Sequence, residues 1–415
     1  MTASKILNIN FFLMCIFVFV FNYNATTFIG VSAYTWTNII VIAFIAISLI
    51  NVFKSRNGKL RWSNFYTCFL LFVGACFVSV LYSYAVDASL SRTLRMFELL
   101  VLSVTIYQQI DTKEKLDIYL KLFAWAGSIS ALYLLVFSDR TQRIGDIVGD
   151  ANQIGITLSF AATIAIYLLK NEKKIIYVPM IAILLIAILF TGSRAALVLI
   201  VLAIVANVYI SAFQKHWNFL KIIGMTIVLI GILIGGFYLV MNIELLYRTI
   251  GIRVLSFYQI SQGMESVYHE SSTFTRMRYM KSAFDWFLQS PIFGHGINSF
   301  QAYNQDYVFG VSAFSHCDYV ELLSALGIIG TTLFFAPFFV LLRPMFKRGI
   351  LEESQSHNVL LFSLAIEFLV GEVFLVMYYE KEIWILIPLL IGIYEISKFE
   401  DSSKAQHIIG YRGKK

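Results

Sequence analysis

Apolar runs long enough to cross a lipid bilayer recur from one end of this sequence to the other. A helix needs about 20 predominantly apolar residues to span roughly 30 Å of hydrocarbon, and such runs fill most of the 415 residues. Only 14% of the residues are charged, against about 25% in soluble domains. The sequence therefore predicts an all-α, polytopic membrane protein that forms a single integral membrane domain over residues 1–415.

The apolar runs predict about twelve transmembrane helices. The predicted spans are 6–21, 31–53, 65–82, 93–110, 118–137, 152–169, 175–191, 195–212, 220–241, 318–342, 357–379 and 383–397. The first run lacks a small-residue cleavage site, which favours a span over a signal peptide. The four cysteines form no disulfide or metal-binding pattern, so we expect no metal and no cofactor. The net charge of +7 is modest, and no nucleic-acid partner is expected.

The basic residues orient these spans. If the N-terminus is cytoplasmic, 21 of the 32 Lys and Arg residues fall in cytoplasmic segments. The positive-inside rule then places both termini in the cytoplasm. Nine of the 11 basic residues on the outer side are arginines, whose planar donor fork matches phosphate and carboxylate oxygens. For any single arginine, an ion pair with an outer acid or contact with lipid phosphates is an equally good interpretation. For the whole set, we predict an anionic ligand.

One outer segment, 242–317, is far longer than the others and contains no predicted span. We predict that it forms one large extracytoplasmic loop, and long loops between short-looped spans often carry function. Within it, SSTFTRMRYMKSAFDWFLQS predicts an amphipathic helix. Its expected apolar face consists of Phe274, Met277, Met280, Phe284 and Phe287. The GHG sequence at 294–296 predicts a flexible turn after that helix.

A histidine and two acids come just before and at the start of the predicted span 318–342: His316, Asp318 and Glu321. Asp318 and Glu321 have the spacing of a capping box. His316 precedes that box, and an imidazole with a pKa near 6.5 is able to take a proton from a hydroxyl at neutral pH. We therefore predict His316 as a general base, with one of the two carboxylates orienting its ring.

Other polar groups interrupt the apolar runs on the same side. They are the TGSR sequence at 191–194, the GDANQIG sequence at 149–155, Arg276 and Arg278 in the loop helix, and the Arg95–Glu98 pair. Arg276 and Arg278 are two residues apart and therefore point from different faces of a helix. Glu367 and Glu372 lie inside span 357–379, where a carboxylate is either functional or paired with an arginine.

The order of these elements resembles the O-antigen ligase and polymerase superfamily of bacterial envelope polysaccharide enzymes. The matching elements are the Asn152 element, TGSR (191–194), Arg276 ahead of PIFGHGINSF (291–300), and HCDYVELLSALGIIG (316–330). The resemblance covers about residues 150 to 345. The family pattern has an asparagine after the histidine, where this chain has Cys317. Any hydrogen bond of that asparagine is absent here or is made by another group.

The resemblance implies metal-independent, inverting transfer of a glycan from undecaprenyl diphosphate to a sugar hydroxyl. The implied site faces the periplasm from the bacterial inner membrane. The predicted catalytic residues are His316, Asp318 and Glu321; the diphosphate-binding residues are Arg194, Arg276, Arg278 and Arg95; the substrate-binding residues are Asn152, Ser193, His295 and Asn298. The implied partners are the lipid-linked glycan, membrane lipids and a chain-length regulator.

Three functions fit the resemblance and the composition. We favour a polymerase of O-antigen or capsule repeat units, because envelope polymerases are the more numerous and divergent group. The alternative is an O-antigen ligase that transfers the glycan to lipid A-core. The third function, a flippase or other transporter of lipid-linked sugars, predicts internal repeats and a polar path across the membrane. We find no such repeat, and the polar residues concentrate on one side.

Overall fold

In the computed structural model, all regular structure of the described residues is helical, which confirms the all-α prediction. The structure describes residues 11–12, 14–16, 18, 41–50, 60–138, 150–252, 255, 272–343 and 356–412. Most of the predicted span 6–21 and of span 31–53 lies outside these residues, as does the middle of the predicted loop 242–317.

The main helices are labelled here in chain order. They are α1 Val41–Ile50, α2 Asn64–Val80, α3 Val86–Gln109, α4 Lys113–Phe137, α5 Ala151–Glu172, α6 Tyr177–Thr191, α7 Arg194–Gln214, α8 Phe219–Asn242, α9 Ser272–Phe287, α10 Asp318–Leu342, α11 Ser356–Gly371 and α12 Lys381–Arg412. Shorter helical segments lie at Glu244–Leu246, Tyr247–Gly251, Phe300–Tyr303 and Asn304–Val308.

Among the described helices, α4, α5, α7, α8 and α10 are long and apolar enough to cross a membrane. The apolar helices α1, α2, α6 and α11 are shorter. These apolar helices indicate a membrane protein, as the composition does. The total of about twelve spans stays a prediction.

Most predicted boundaries lie within a few residues of the observed ones, and three differ for a physical reason. Helix α12 ends at Arg412 rather than at 397, because its sequence after 397 is largely polar and escapes a hydropathy criterion. Helix α10 begins and ends where the apolar run 318–342 does. Helix α3 begins at Val86 rather than at 93, because its first two turns are polar and escape a hydropathy criterion. Helix α11 ends at Gly371 rather than at 379, because the following apolar residues make contacts outside a helix.

Helix α5 lies at the centre of the bundle and packs against α4, α6, α7 and α11. Small residues permit this close packing, since a Cβ at Gly127 of α4 would overlap the side chain of Ala161 of α5. Helix α10 packs against α2 and α9, while α12 packs against α3. Helix α8 has no buried residue, so in a membrane its apolar surface faces lipid.

Residues predicted for the same side of the membrane meet at the same end of the bundle. At one end, Tyr84 Oη donates to Asp306 Oδ2 at 2.7 Å, and Gln153 Nε2 donates to Glu380 Oε2 at 2.9 Å. At the other end, Arg61 Nη2 lies 3.0 Å from Glu395 Oε2. We call the first end the arginine-rich end, because Arg92, Arg194 and Arg276 belong to the segments that reach it.

Helix α10 is interrupted at Gly327, whose backbone has φ 63° and ψ −165°. The segment 291–297 lies against this interruption and forms hydrogen bonds with backbone groups that an uninterrupted helix would pair internally. Ile328 N donates to Pro291 O at 2.9 Å, His295 N to Ser324 O at 3.0 Å, and Gly296 N to Ala325 O at 2.8 Å. In an apolar environment every backbone polar group needs such a partner.

These bonds show that the prediction of a flexible GHG turn was wrong. Gly294 and Gly296 do have positive φ values of 71° and 102°, but partners distant in sequence hold the segment on both sides. Besides the bonds to α10, Tyr84 N donates to His295 O at 3.0 Å, and Ile297 N donates to Ser79 Oγ at 3.1 Å. The glycines therefore permit close approach of two backbones.

The predicted loop helix is present as α9, but its predicted buried face is wrong in part. Met277 and Phe284 are exposed, whereas Ala283, Trp286 and Phe287 are buried. The physical reason is a stack of rings, in which Trp286 lies 4.1 Å from Tyr303 and 4.2 Å from His295, measured between centroids. Ring stacking with the following segment, rather than helical periodicity alone, sets the rotation of α9.

We expect Gly327→Ala to destabilise the protein strongly. An alanine is strained at this positive φ, and its Cβ would overlap the Ile292 carbonyl. Thermal unfolding of the purified protein in detergent measures the effect. The matched control is Gly224→Ala in α8, where a Cβ meets nothing within 4 Å, so the higher helix propensity of alanine should leave stability equal or greater. Equal melting temperatures for the two variants would contradict the interruption of α10.

Candidate active site

The loop that precedes α10 holds His316 in an unusual backbone conformation. His316 has φ 61°, a region that costs free energy for a residue with a side chain. Its neighbours fix the loop, because Ser315 N donates to Glu321 Oε2 at 2.9 Å and Ser315 Oγ donates to Cys317 O at 3.0 Å. Asp318 N donates to Glu372 O at 2.8 Å. These bonds anchor the loop to α10 and to the end of α11.

The two carboxylates of α10 are fully buried and bind backbone N–H groups. Asp318 Oδ2 accepts from Met377 N at 2.7 Å, and Glu321 accepts from Ser315 as described. The capping-box prediction is wrong, because Cys317 is the N-cap residue and makes no side-chain cap bond. Asp318 and Glu321 therefore position the loops 314–317 and 372–380 around the N-terminus of α10.

The ring of His316 packs on α9. It stacks on Tyr279 with 6.0 Å between ring centroids and 24° between planes. Burial lowers the pKa of His316 to about 4, with a further lowering by the nearby Arg276 guanidinium and an opposing effect of Asp150. The imidazole is therefore neutral at pH 7, and the close charged groups are Arg276 and Asp150 rather than the predicted carboxylates.

Arg276 and Arg278 of α9 have different surroundings, as their spacing predicts. Arg276 is half-buried and lies close enough to His316 to affect its pKa. Arg278 is exposed, and its guanidinium lies 4.3 Å from the centre of the Phe309 ring. Phe309 in turn contacts Tyr279 at 5.2 Å between centroids. Arg278 thus packs on Phe309, which contacts the Tyr279 ring on which His316 stacks. Arg276 instead acts electrostatically on the His316 imidazole.

The TGSR sequence and the Asn152 element meet beside this histidine. Asp150 caps α5, accepting from Asn152 N at 2.7 Å and from Asn152 Nδ2 at 2.9 Å. One turn further, a Cβ at Gly155 would lie 3.0 Å from Ser193 Cβ. Asp150 also acts electrostatically on His316, so the start of α5 is packed against the turn that carries Arg194 and carries a charge that His316 senses.

Ser193 and Arg194 form the start of α7. Ser193 is buried, and its Oγ accepts from Ala196 N at 3.3 Å, a bond of the N-cap type. Gly192, with φ 61°, ends α6 in the left-handed conformation. Arg194 is half-buried as the first residue of α7. The short turn between the packed helices α6 and α7 thus fixes the position of the Arg194 backbone, from which the side chain extends.

Two of the predicted substrate-binding residues lie in or just after the segment 291–297: His295 within it and Asn298 directly after it. A ring nitrogen of His295 lies 2.9 Å from Trp286 O, and the ring stacks on the Trp286 indole. Asn298 has φ 60°, and its Oδ1 accepts from Arg92 Nη2 at 3.1 Å. His295 is therefore held within the packing of the segment, while Asn298 faces α3.

Arg92 was missed as a site residue by the sequence prediction. Its guanidinium lies 3.4 Å from the centre of the Tyr379 ring, binds Asn298 and acts electrostatically on Glu321. One turn further along α3, Arg95 Nη1 forms an ion pair with Glu98 Oε2 at 2.9 Å. The spacing of Arg92 and Arg95 places them on one helix face, but the late predicted start of this helix left Arg92 in a loop.

The interior carboxylate Glu367 of α11 has a hydroxyl partner. Its Oε2 accepts from Thr163 Oγ1 of α5 at 2.8 Å, and its Oε1 has no hydrogen-bond partner within the described ranges. Glu372 lies just past the end of α11, where its carbonyl binds Asp318 N. Ion pairing with an arginine, the alternative considered for these two residues, is not seen among the described residues.

Residues 179–335 match the family model described as O-antigen ligase. This match confirms the resemblance seen in the sequence over a segment that includes Arg194, Arg276 and His316. Proteins of this family are glycosyltransferase-like enzymes, either ligases or polymerases. No curated protein matches the chain. The apolar helices indicate a membrane protein, and residues 179–335 are similar to the O-antigen ligase family.

The positioning role of Asp318 leads to a test with paired variants. Asp318→Asn keeps an oxygen acceptor for the Met377 N–H, whereas Asp318→Ala leaves this buried donor without its acceptor. We expect the alanine variant to be less stable than the asparagine variant by about 1–3 kcal/mol. Thermal unfolding in detergent measures the difference. Identical melting temperatures would mean that this bond does not hold the 372–380 loop.

Proposed function

We propose that this protein is an inverting glycosyltransferase that moves a glycan from undecaprenyl diphosphate to a sugar hydroxyl. It works at the outer leaflet of the bacterial inner membrane, with both termini in the cytoplasm. The observation that carries the proposal is the shared environment of Arg276 and His316, a cation for phosphate beside a neutral imidazole. The match of residues 179–335 to the O-antigen ligase model supports the same class of reaction.

In this mechanism Arg276 and Arg194 hold the two phosphates of the donor. The acceptor oxygen attacks the anomeric carbon from the face opposite the diphosphate. As the new C–O bond forms, the bond between the anomeric carbon and the phosphate oxygen breaks, and undecaprenyl diphosphate leaves with the electron pair. His316 takes the proton of the acceptor hydroxyl. The guanidinium groups stabilise the charge that grows on the leaving group.

The low pKa of His316 has a direct consequence for this mechanism. A base with a pKa of about 4 is always neutral at pH 7 but accepts a proton weakly. A bound diphosphate would offset the positive charge of Arg276, which is one of the two causes of the lowering. Donor binding therefore raises the pKa of His316 and makes the imidazole a stronger base when the substrate is in place.

The proposed reaction needs no metal, because arginines provide the positive charge. The described residues contain no group of three or more His, Cys, Asp or Glu side chains arranged to hold a metal ion. The half-buried Arg194 and Arg276 offer fixed donors where other glycosyltransferases place a divalent cation. Tyr279 and Asp150 then position His316 with respect to these donors.

We propose polymerase activity, in which the acceptor is a second carrier-linked repeat unit. A ligase would use the same donor chemistry and transfer the glycan to lipid A-core instead. A transporter of lipid-linked sugars is the weaker alternative, because the arginines and His316 concentrate at one end of the bundle rather than along a path through it.

Incubation of the purified protein with one carrier-linked repeat unit and nothing else tests the proposal. A polymerase should produce a ladder of lengthened glycans, visible after electrophoresis, because donor and acceptor are the same molecule. A product that appears only after addition of lipid A-core would establish the ligase instead. Failure to form any product under both conditions, with movement of the lipid across vesicle membranes, would favour the transporter.

The pH profile of His316 provides a second test. We expect His316→Ala to abolish polymer formation, whereas the exposed His216→Asn variant keeps it. In the wild type, kcat/KM reports the free enzyme and should fall only as the pH drops through about 4, the pKa of His316 in the empty site. The value of kcat reports the substrate-bound enzyme and should fall at a higher pH, because donor binding raises the pKa of His316. Activity of His316→Ala close to that of the wild type would exclude this histidine as the base.

A further inference from the structure

A cavity of about 500 Å³ lies beside α3 at the arginine-rich end. Its wall includes Ser91, Arg92, Leu94, Arg95, Glu98 and Asn298. Two guanidinium groups and one carboxylate therefore face a space large enough for a phosphate group with part of a sugar. The cavity is separate from the residues around the His316 ring, which belong to α5 and α9.

The two arginines are held in place but keep donors for a ligand. Arg92 rests on the Tyr379 ring and uses Nη2 for Asn298, and Arg95 uses Nη1 for Glu98. A guanidinium carries five N–H donors, so both arginines have further donors to offer. Arg95 and Glu98 are each about one-third exposed, which leaves their ion pair open to an incoming anion.

The surroundings of the cavity suit a ligand with a long apolar chain. Leu94 lines the cavity and is exposed, with 53% of its surface accessible. A prenyl chain that packs on Leu94 keeps its diphosphate within reach of Arg92 and Arg95.

The cavity also adjoins the loop that carries His316. The Arg92 guanidinium lies 5.7 Å from the centre of the Phe314 ring, two residues before His316. Arg92 of α3 therefore lies near the segment that leads into His316, whereas Arg276 of α9 acts on the imidazole itself. We propose that the Arg92–Arg95 cavity is a second diphosphate subsite, which binds the carrier diphosphate of the acceptor.

This inference rests on the proposed function and makes it more specific. A polymerase joins two carrier-linked molecules and must accommodate two diphosphates at once. A ligase needs only the donor diphosphate. A second arginine-lined site, beside the segment that leads into this histidine, therefore favours a lipid-linked acceptor over lipid A-core.

Binding of farnesyl diphosphate to the full-length protein tests the subsite without requiring any activity. Isothermal titration calorimetry in nanodiscs of neutral lipid should give two sites per chain. Arg276→Gln should remove one site and Arg95→Gln should weaken the other by about 10-fold or more, the cost of losing a charge-assisted hydrogen bond. Inorganic pyrophosphate should compete, because the cavity recognises the diphosphate.

Glu98→Gln is the matched control, since it breaks the same ion pair as Arg95→Gln. It removes a carboxylate that competes for Arg95, so it should tighten binding at the second site. If both variants weaken binding equally, the ion pair is only structural and the inference fails.

A single site in the wild type that Arg276→Gln removes and Arg95→Gln leaves unchanged would overturn the subsite and leave the donor site standing. A site sensitive to Arg95→Gln with no effect of Arg276→Gln would instead overturn the proposed donor site. Displacement of farnesyl diphosphate by phosphatidylglycerol in the nanodiscs would make the cavity an ordinary lipid-headgroup site and would also overturn the inference.

Discussion

A helix that is interrupted inside an apolar bundle leaves backbone N–H and C=O groups that need partners. In this protein the interruption at Gly327 and the segment 291–297 satisfy each other. The same segment bonds to Tyr84 and Ser79, at the junction of α2 and α3. Hydrogen bonds of the segment's backbone therefore tie three parts of the chain together, and they place Asn298, directly after the segment, where it binds Arg92. The arrangement of the arginine-rich end depends on it.

Buried charge at this end has two separate uses. Asp318 and Glu321 bind backbone N–H groups and so shape the loops around the start of α10. Arg276 and Asp150 instead act on the His316 ring, with opposite effects on its pKa. A mechanism that treated all the polar groups near His316 as catalytic would miss this division. Asp318 and Glu321 hold the loops through oxygen atoms that accept backbone N–H groups, so their positioning role depends on the acceptor oxygen and not on the negative charge.

The sequence predicted the elements that depend on local patterns and missed those that depend on distant partners. The apolar run 318–342 coincides with α10, because hydrophobic length alone sets a helix of this kind. The rotation of α9 depends on Trp286 stacking, and the fixed GHG segment depends on the bonds to α10. Hydrophobic periodicity carries no information on either set of contacts. Arg92 was assigned to a loop because the polar first turns of α3 carry little hydropathy. The proximity of Arg276 to His316 was expected only from the family resemblance.

The central claim is that Arg276 and His316 share one site, and the pKa of His316 tests this most directly. NMR on histidine-labelled protein gives that value, with the resonance assigned by its absence in His316→Gln. We predict a pKa of about 4 in the wild type and a higher pKa in Arg276→Gln, because removal of a neighbouring cation favours the protonated ring. The same pKa in both proteins would contradict the account, since Arg276 would then lie too far from the imidazole to hold a diphosphate beside it.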